Sequence, residues 1–179
     1  MISMKDAQQD MRTAYLGGAT GMLVSGLVWL TAGLVGWQLT VKASVLTLFF
    51  GGMLIHPLGV LLDKAMKRAG QHQKGNPLAP LALESTVLLF IGLFIAFVAV
   101  QSQPTWFYPI MLLTIGGRYL LFQTLYGMKA YWLIGGALLA AGALCLVYKT
   151  PFVTGAFVGA GIEIVGSWLI FSQVRFSQS

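Results

Sequence analysis

Charged side chains are scarce in this sequence: Asp, Glu, Lys and Arg together make up 9% of its 179 residues, and five of them are acidic. Soluble domains carry roughly 25% charged residues. Hydrophobic residues make up 57% of the chain, and a water-soluble domain of this size leaves too much of its area in water to hide them. The composition therefore predicts an all-α integral membrane protein, in which helices satisfy their own backbone groups in lipid.

Cysteine and histidine are also nearly missing from the sequence. The single cysteine, Cys145, excludes an internal disulfide, and His56 and His72 have no further histidine at ligand spacing. The P-loop, dinucleotide-binding, HExxH and GxSxG motifs do not occur. The sequence thus predicts no metal, no cofactor and no recognised set of catalytic residues.

The net charge of +6 raises the question of a nucleic-acid partner. The basic residues, however, lie at the ends of apolar runs and form no single patch, and that distribution is typical of membrane topology signals. We therefore expect membrane lipids as partners and no nucleic acid.

Six apolar runs meet the requirement of about 20 residues for a transmembrane helix. The predicted spans cover residues 15–35, 43–62, 81–100, 106–128, 130–147 and 151–172. The first run is far longer than the roughly 7–15 residues of a signal-peptide core, so it counts as a span. The one long connection, a predicted cytoplasmic loop over 63–80, contains the turn signal Asn76-Pro77. We expect a single membrane domain over 1–179.

Lysine and arginine predict the orientation of these spans, because they are in excess on the cytoplasmic side of membrane proteins. If the N-terminus is cytoplasmic, every basic residue outside the spans is cytoplasmic except Lys42 and Lys149. Both termini are therefore predicted to lie in the cytoplasm.

The spans pair into three helical hairpins that resemble one another. The second helix of each contains a glycine cluster followed by one polar residue, which favours an internal repeat. The three clusters are Gly51-Gly52 before His56, Gly116-Gly117 before Arg118, and Gly159 and Gly161 before Glu163.

Arg118 and Glu163 are the most informative residues, because each lies near the middle of a predicted span. An ionised side chain at that depth costs at least ~2.5–3.5 kcal/mol, so neither residue is expected to face lipid. The economical arrangement is an ion pair or a shared aqueous cavity, and a guanidinium can meet a carboxylate through two hydrogen bonds. Such a pair is either part of a binding site or a structural ion pair that fixes how the helices pack.

Three other residues complete the predicted intramembrane polar site, and one of them lies beside a predicted helix kink. Pro57 is expected to kink the second span, and His56 beside it could titrate near neutral pH. Glu84 lies about one turn into the third span, where the helix dipole favours a carboxylate, or it faces the mouth of the same cavity. Tyr126 falls near the Arg118 face of the fourth span, although it suits an interfacial position equally well.

Three sequence strings carry a family resemblance. FFGGMLIHPLG (49–59), KGNPLAPLALE (74–84) and IGGRYLLFQTLYG (115–127) resemble a family of small bacterial multi-span proteins of unknown function. The resemblance covers most of the chain and implies a bacterial inner-membrane location. It implies no activity and assigns no residue a role.

Three functions remain compatible with these residues. The first is a transporter or binding protein for a small solute or ion, for which so short a chain would use a homodimer as its working unit. The alternative is a non-catalytic structural or stress-related membrane protein in which Arg118 and Glu163 form a packing ion pair. The third is a lipid-modifying enzyme with His56 as general base and Glu163 or Glu84 as acid.

Overall fold

The computed structural model describes residues 2–176, and this part of the chain is helical and contains no strand. The seven α-helices of the described chain are α1 (Met4–Ala14), α2 (Ala19–Gln38), α3 (Val41–Ala65), α4 (Ala79–Val100), α5 (Phe107–Tyr126), α6 (Ala130–Val147) and α7 (Thr154–Phe176). Short 3₁₀ turns over Leu16–Gly18 and Pro104–Trp106 precede α2 and α5.

Five helices are long and apolar enough to cross a membrane: α2 with its preceding turn, α3, α4, α6 and α7. This agrees with the predicted helical membrane architecture. The remaining predicted span coincides with α5, which is a helix at the expected place but is not among these five. Arg118 and Gln123 lower its hydropathy, and α5 packs against both α4 and α6.

The helices form a central group of four with one helix added on each side. Helix α7 packs against α2, α6 and α5, and α5 packs extensively against α6. Helix α3 is held mainly by α2, and α4 mainly by α5. These flanking helices present large apolar side chains outward, such as Phe50, Phe90 and Phe94, each more than half exposed. Such surfaces are stable in lipid and costly in water.

Glycines allow the central helices to approach closely. A Cβ placed at Gly116 of α5 would lie 2.9 Å from the Gly135 carbonyl oxygen of α6, and one at Gly135 would lie 2.8 Å from the Gly116 carbonyl oxygen. A Cβ at Gly26 of α2 would lie 2.8 Å from the Ile164 side chain of α7. Small residues at such crossings are typical of helix packing in membranes, where dispersion contacts replace the hydrophobic effect.

Helix α1 covers one end of the bundle, which we call the terminal face because α2 begins there and α7 ends there. Ser3 caps α1 by accepting a hydrogen bond from the Asp6 backbone N–H at 3.2 Å. The helix then lies over the end of α5, where Arg12 Nε donates to the Tyr126 carbonyl oxygen at 3.1 Å and Gln8 Nε2 donates to the Thr124 carbonyl oxygen at 2.8 Å. These bonds satisfy carbonyls that a helix end leaves without a partner.

The connection between α3 and α4 packs on α1. Asn76 Nδ2 donates to Asp10 Oδ2 at 2.7 Å and to the Ala7 carbonyl oxygen at 3.0 Å. The connection is shorter than the predicted loop over 63–80, since α3 continues to Ala65 and α4 begins at Ala79. Helix α3 also continues through Pro57 to Ala65.

Candidate functional site

Glu163 lies at the junction of three central helices. Its side chain is 0% exposed on α7, and the Tyr119 hydroxyl of α5 donates a hydrogen bond of 2.7 Å to Glu163 Oε1. The Ser25 hydroxyl of α2 is a second donor group beside this carboxyl group. Glu163 Oε2 has no hydrogen-bond partner, so one oxygen of this central carboxyl group remains unsatisfied.

A buried carboxylate oxygen without a partner is unfavourable, because it has lost its water and gained no protein donor. Two changes remove the electrostatic part of this cost without moving the helices. A proton on the carboxyl group neutralises it, and a bound cation compensates its charge. The geometry at Glu163 is therefore suited to take up a positive charge.

Arg118 lies on the other side of α5 and points towards α4. Its Nε donates to Ser85 Oγ at 3.3 Å, and its Nη2 donates to Thr86 Oγ1 at 3.4 Å. The guanidinium carbon lies 5.1 Å from the centre of the Phe122 ring, within the range of a cation–π contact.

The direct ion pair expected between Arg118 and Glu163 is not formed. Glu163 has Tyr119 as its hydrogen-bond partner, whereas the guanidinium binds the hydroxyl groups of α4. The two charges interact through space. The reason is rotational: Tyr119 directs its hydroxyl from α5 towards α7, and the neighbouring Arg118 leaves the helix 100° away.

Aromatic rings connect Glu163 to the terminal face. The Tyr119 ring is 5.7 Å from the Tyr131 ring, edge to face, and the Tyr131 ring stacks on Tyr126 at 5.6 Å. The Tyr131 hydroxyl donates to the Gly17 carbonyl oxygen at 2.6 Å, in the turn that joins α1 to α2. Gly18 in this turn has φ of 86° and no room for a side chain against the Tyr131 hydroxyl. We call Tyr119, Phe122, Tyr126 and Tyr131 the aromatic cluster.

Asp63 is a second buried carboxylate, in the last turn of α3. It is 2% exposed, and its Oδ1 accepts a hydrogen bond of 2.8 Å from the Thr20 hydroxyl at the start of α2. The pair lies close to the terminal face, where α2 begins and α3 ends. Among the residues that the structure describes, no three histidine, cysteine or acidic side chains form a metal-ion cluster.

The profile of one protein family matches residues 4–173. The chain belongs to the DUF7010 family, a family of unknown function. This confirms the resemblance to an uncharacterised family. No curated protein and no solved structure matches the chain.

In this DUF7010 member, the structure separates the five residues predicted for one polar site. Glu163 and Tyr126 lie in the central group of helices, and Arg118 lies between α5 and α4. His56 and Pro57 are exposed on α3, and Glu84 is exposed on α4. His56, Glu84 and Glu163 therefore do not converge as an acid–base set for lipid chemistry.

Sequence reasoning missed Tyr119, Ser25 and Asp63. The predicted loop over 63–80 begins at Asp63, although in the structure Asp63 lies in the last turn of α3, one helical turn after Gly59, the residue at which α3 crosses α2. A Cβ at Gly59 would lie 3.1 Å from the Gly21 Cα. Residues four apart share a helix face, so the spacing of Asp63 from Gly59 was the signal available in the sequence that Asp63 points inward.

Proposed function

We propose that this protein takes up a proton or a small cation at Glu163, within a six-span membrane bundle that acts as a carrier or binding protein for a small solute or ion. The observation that supports the proposal is the unsatisfied Oε2 of a fully buried carboxyl group at the junction of α2, α5 and α7. Ionisable groups at such depth are costly, and in membrane proteins they commonly mark ion or proton pathways.

The surroundings of Glu163 favour reversible uptake. Tyr119 donates to one oxygen and fixes the orientation of the carboxyl group, so the other oxygen faces a constant position. The charge of Arg118 acts on the carboxylate from a distance without blocking it by a direct hydrogen bond. A competing positive charge can therefore bind and leave without breaking a salt bridge.

We also propose that α5 is the sixth span and that both termini lie in the cytoplasm. Helix α5 has the length of a span at 20 residues and lies between α4 and α6. The terminal face would then contain nearly all the basic residues, as cytoplasmic faces do. Cysteines placed at Lys42 and Lys149 should react with an impermeant thiol reagent from outside cells, and one at Lys74 should not. The reverse labelling would contradict this orientation.

The location proposed is the inner membrane of a bacterium, on the strength of the family resemblance. A homodimer as the working unit stays a prediction, which the mass of the detergent-solubilised protein tests directly.

Infrared difference spectroscopy of the protein in lipid tests the uptake of charge. We expect a carboxyl C=O band that changes when the pH is varied or when sodium or potassium chloride is added, and that disappears in Glu163→Gln. A response to pH alone identifies the proton, and a response to one salt at constant pH identifies the cation. Glu84→Gln is the matched control, because Glu84 is exposed and its loss should leave the Glu163 band in place. A carboxyl band that responds neither to pH nor to salt would contradict the proposal.

The second candidate is a non-catalytic structural membrane protein. The hydrogen bond from the Tyr119 hydroxyl to Glu163 favours this function, because it joins α5 to α7. In that case Glu163→Gln, which can still accept the bond from Tyr119, keeps the fold and changes no uptake of protons or cations. The infrared measurement distinguishes the two functions.

A further inference from the structure

A groove opens on the terminal face between the ends of α3 and α7. Its volume is about 250 Å³. It is lined by four apolar or thioether side chains and two arginines: Leu16, Met66, Phe171, Val174, Arg68 and Arg175. The groove is remote from Glu163, which lies a little over three helical turns before Arg175 on α7.

The two arginines come from different elements. Arg175 is exposed in the last turn of α7. Arg68 follows α3, where its backbone N–H donates to the Asp63 carbonyl oxygen at 2.9 Å and its charge interacts with the Asp63 carboxylate. The backbone of Arg68 is therefore fixed by the end of α3, and both arginines line one small volume.

The other walls of the groove are apolar. Leu16, 3% exposed, lies where α2 begins, and Phe171 is half-buried one turn before Arg175. Trp168, 66% exposed, lies seven residues before Arg175 and so on the same side of α7. Exposed tryptophans near span ends are typical of the membrane interface. The groove thus continues into the apolar outer surface of α7.

We propose that this groove binds an anionic phospholipid, with the lipid phosphate between Arg68 and Arg175 and the acyl chains along the Phe171 and Trp168 side of α7. Guanidinium groups bind phosphate oxygens through paired, charge-assisted hydrogen bonds. Basic pockets between spans on the cytoplasmic side are suited to anionic headgroups. The apolar walls distinguish a lipid from a free phosphate ion, which gains nothing from Phe171 and Trp168. The site is independent of the function proposed for Glu163.

Native mass spectrometry of the detergent-solubilised protein tests this site with phosphatidylglycerol and phosphatidylcholine of identical acyl chains. We expect the unmodified protein to retain phosphatidylglycerol in preference to phosphatidylcholine. The double variant Arg68→Gln/Arg175→Gln should bind phosphatidylglycerol at least about tenfold more weakly than the unmodified protein, because each lost charge-assisted bond weakens binding. Lys42→Gln/Lys149→Gln removes the same charge at the opposite end and should leave binding unchanged.

The single variant Arg175→Gln, at an exposed position, should lose part of the affinity for phosphatidylglycerol. Its helical circular dichroism should be unchanged, which shows that the loss is one of binding and not of folding. Equal retention of phosphatidylglycerol by all variants would overturn the proposal. So would equal retention of both lipids by the unmodified protein, or displacement of phosphatidylglycerol by millimolar inorganic phosphate, since the groove would then bind the phosphate alone.

Discussion

The Tyr119 hydroxyl donates a hydrogen bond of 2.7 Å to Glu163 Oε1 and joins α5 to α7 at the centre of the helix bundle. Replacing Tyr119 by Phe keeps the ring contacts and removes this donor, which leaves the Ser25 hydroxyl as the remaining donor group beside the carboxyl group. We expect Tyr119→Phe to destabilise the protein by about 1–3 kcal/mol, the cost of an unsatisfied buried group.

Thermal unfolding in detergent, followed by circular dichroism, measures this effect. Tyr148→Phe is the matched control, because Tyr148 is exposed at the end of α6, and its midpoint should equal that of the unmodified protein. Equal midpoints for both variants would show that the bond to Glu163 contributes nothing to stability.

Neighbouring glycines on α5 provide a second prediction. A Cβ at Gly116 would lie 2.9 Å from the Gly135 carbonyl oxygen and from the Leu139 backbone nitrogen, whereas one at Gly117 would have no atom within 4 Å. Backbone atoms cannot turn aside as a flexible side chain can, so Gly116→Ala should separate α5 from α6 and cost about 1–3 kcal/mol. Gly117→Ala should be neutral or stabilise by up to about 1 kcal/mol, since alanine favours the helix. A lower unfolding midpoint for Gly117→Ala than for Gly116→Ala would contradict the close approach of α5 and α6 at Gly116.

Helices α2 to α7 lie within a few residues of the predicted apolar runs, because long apolar runs form helices in a bilayer, whereas the polar helix α1 was not predicted. Helix α5 shows that hydropathy alone does not identify every long helix of the bundle as a candidate span. Arg118 and Gln123 reduce its apolar character, yet it packs between α4 and α6. The end of α3 shows the opposite error: Asp63 and Lys64 read as loop residues, although hydrogen bonding extends the helix to Ala65.

The candidate site was only partly predictable. Burial of Glu163 follows from the cost of its charge in lipid, and the structure places it at 0% exposed. Its partner does not follow, because the rotation of each helix about its axis depends on packing that no single span encodes. The glycine crossing of α5 with α6 and the contact of α4 with α5 fix that rotation, and they direct Arg118 to Ser85 instead of to Glu163.

The hydrogen bond between Thr20 and Asp63 gives a third prediction. Thr20→Val keeps the shape of the side chain and removes the donor to a carboxylate that is 2% exposed. We expect a loss of about 1–3 kcal/mol, measured by unfolding in detergent. Thr31→Val is the control, since the Thr31 hydroxyl bonds only to a carbonyl of its own helix on an exposed face. A loss no larger than that of Thr31→Val would show that Thr20 does not hold Asp63.

Tyr15, at the junction of α1 and the first span, predicts how stability depends on alkaline pH. Burial raises the pKa of its phenol above the ordinary value, a hydrogen bond with the backbone of His72 opposes this rise, and the charges of Asp63 and Asp10 act in the same direction as burial. A pKa that is higher in the folded than in the unfolded protein stabilises the fold fully below the unfolded value of about 10. That contribution is lost as the pH rises through the higher folded pKa.

Unfolding of Tyr15→Phe and of the unmodified protein should therefore be compared below and above pH ~10. We expect the unmodified protein to lose more stability on the alkaline side, because only its folded state disfavours the tyrosinate at this position. Other tyrosines titrate equally in both proteins and cancel in the comparison, and Tyr148→Phe, which changes an exposed phenol, should follow the unmodified protein. Parallel alkaline losses in all three proteins would show that Tyr15 is not desolvated where α1 meets the membrane bundle.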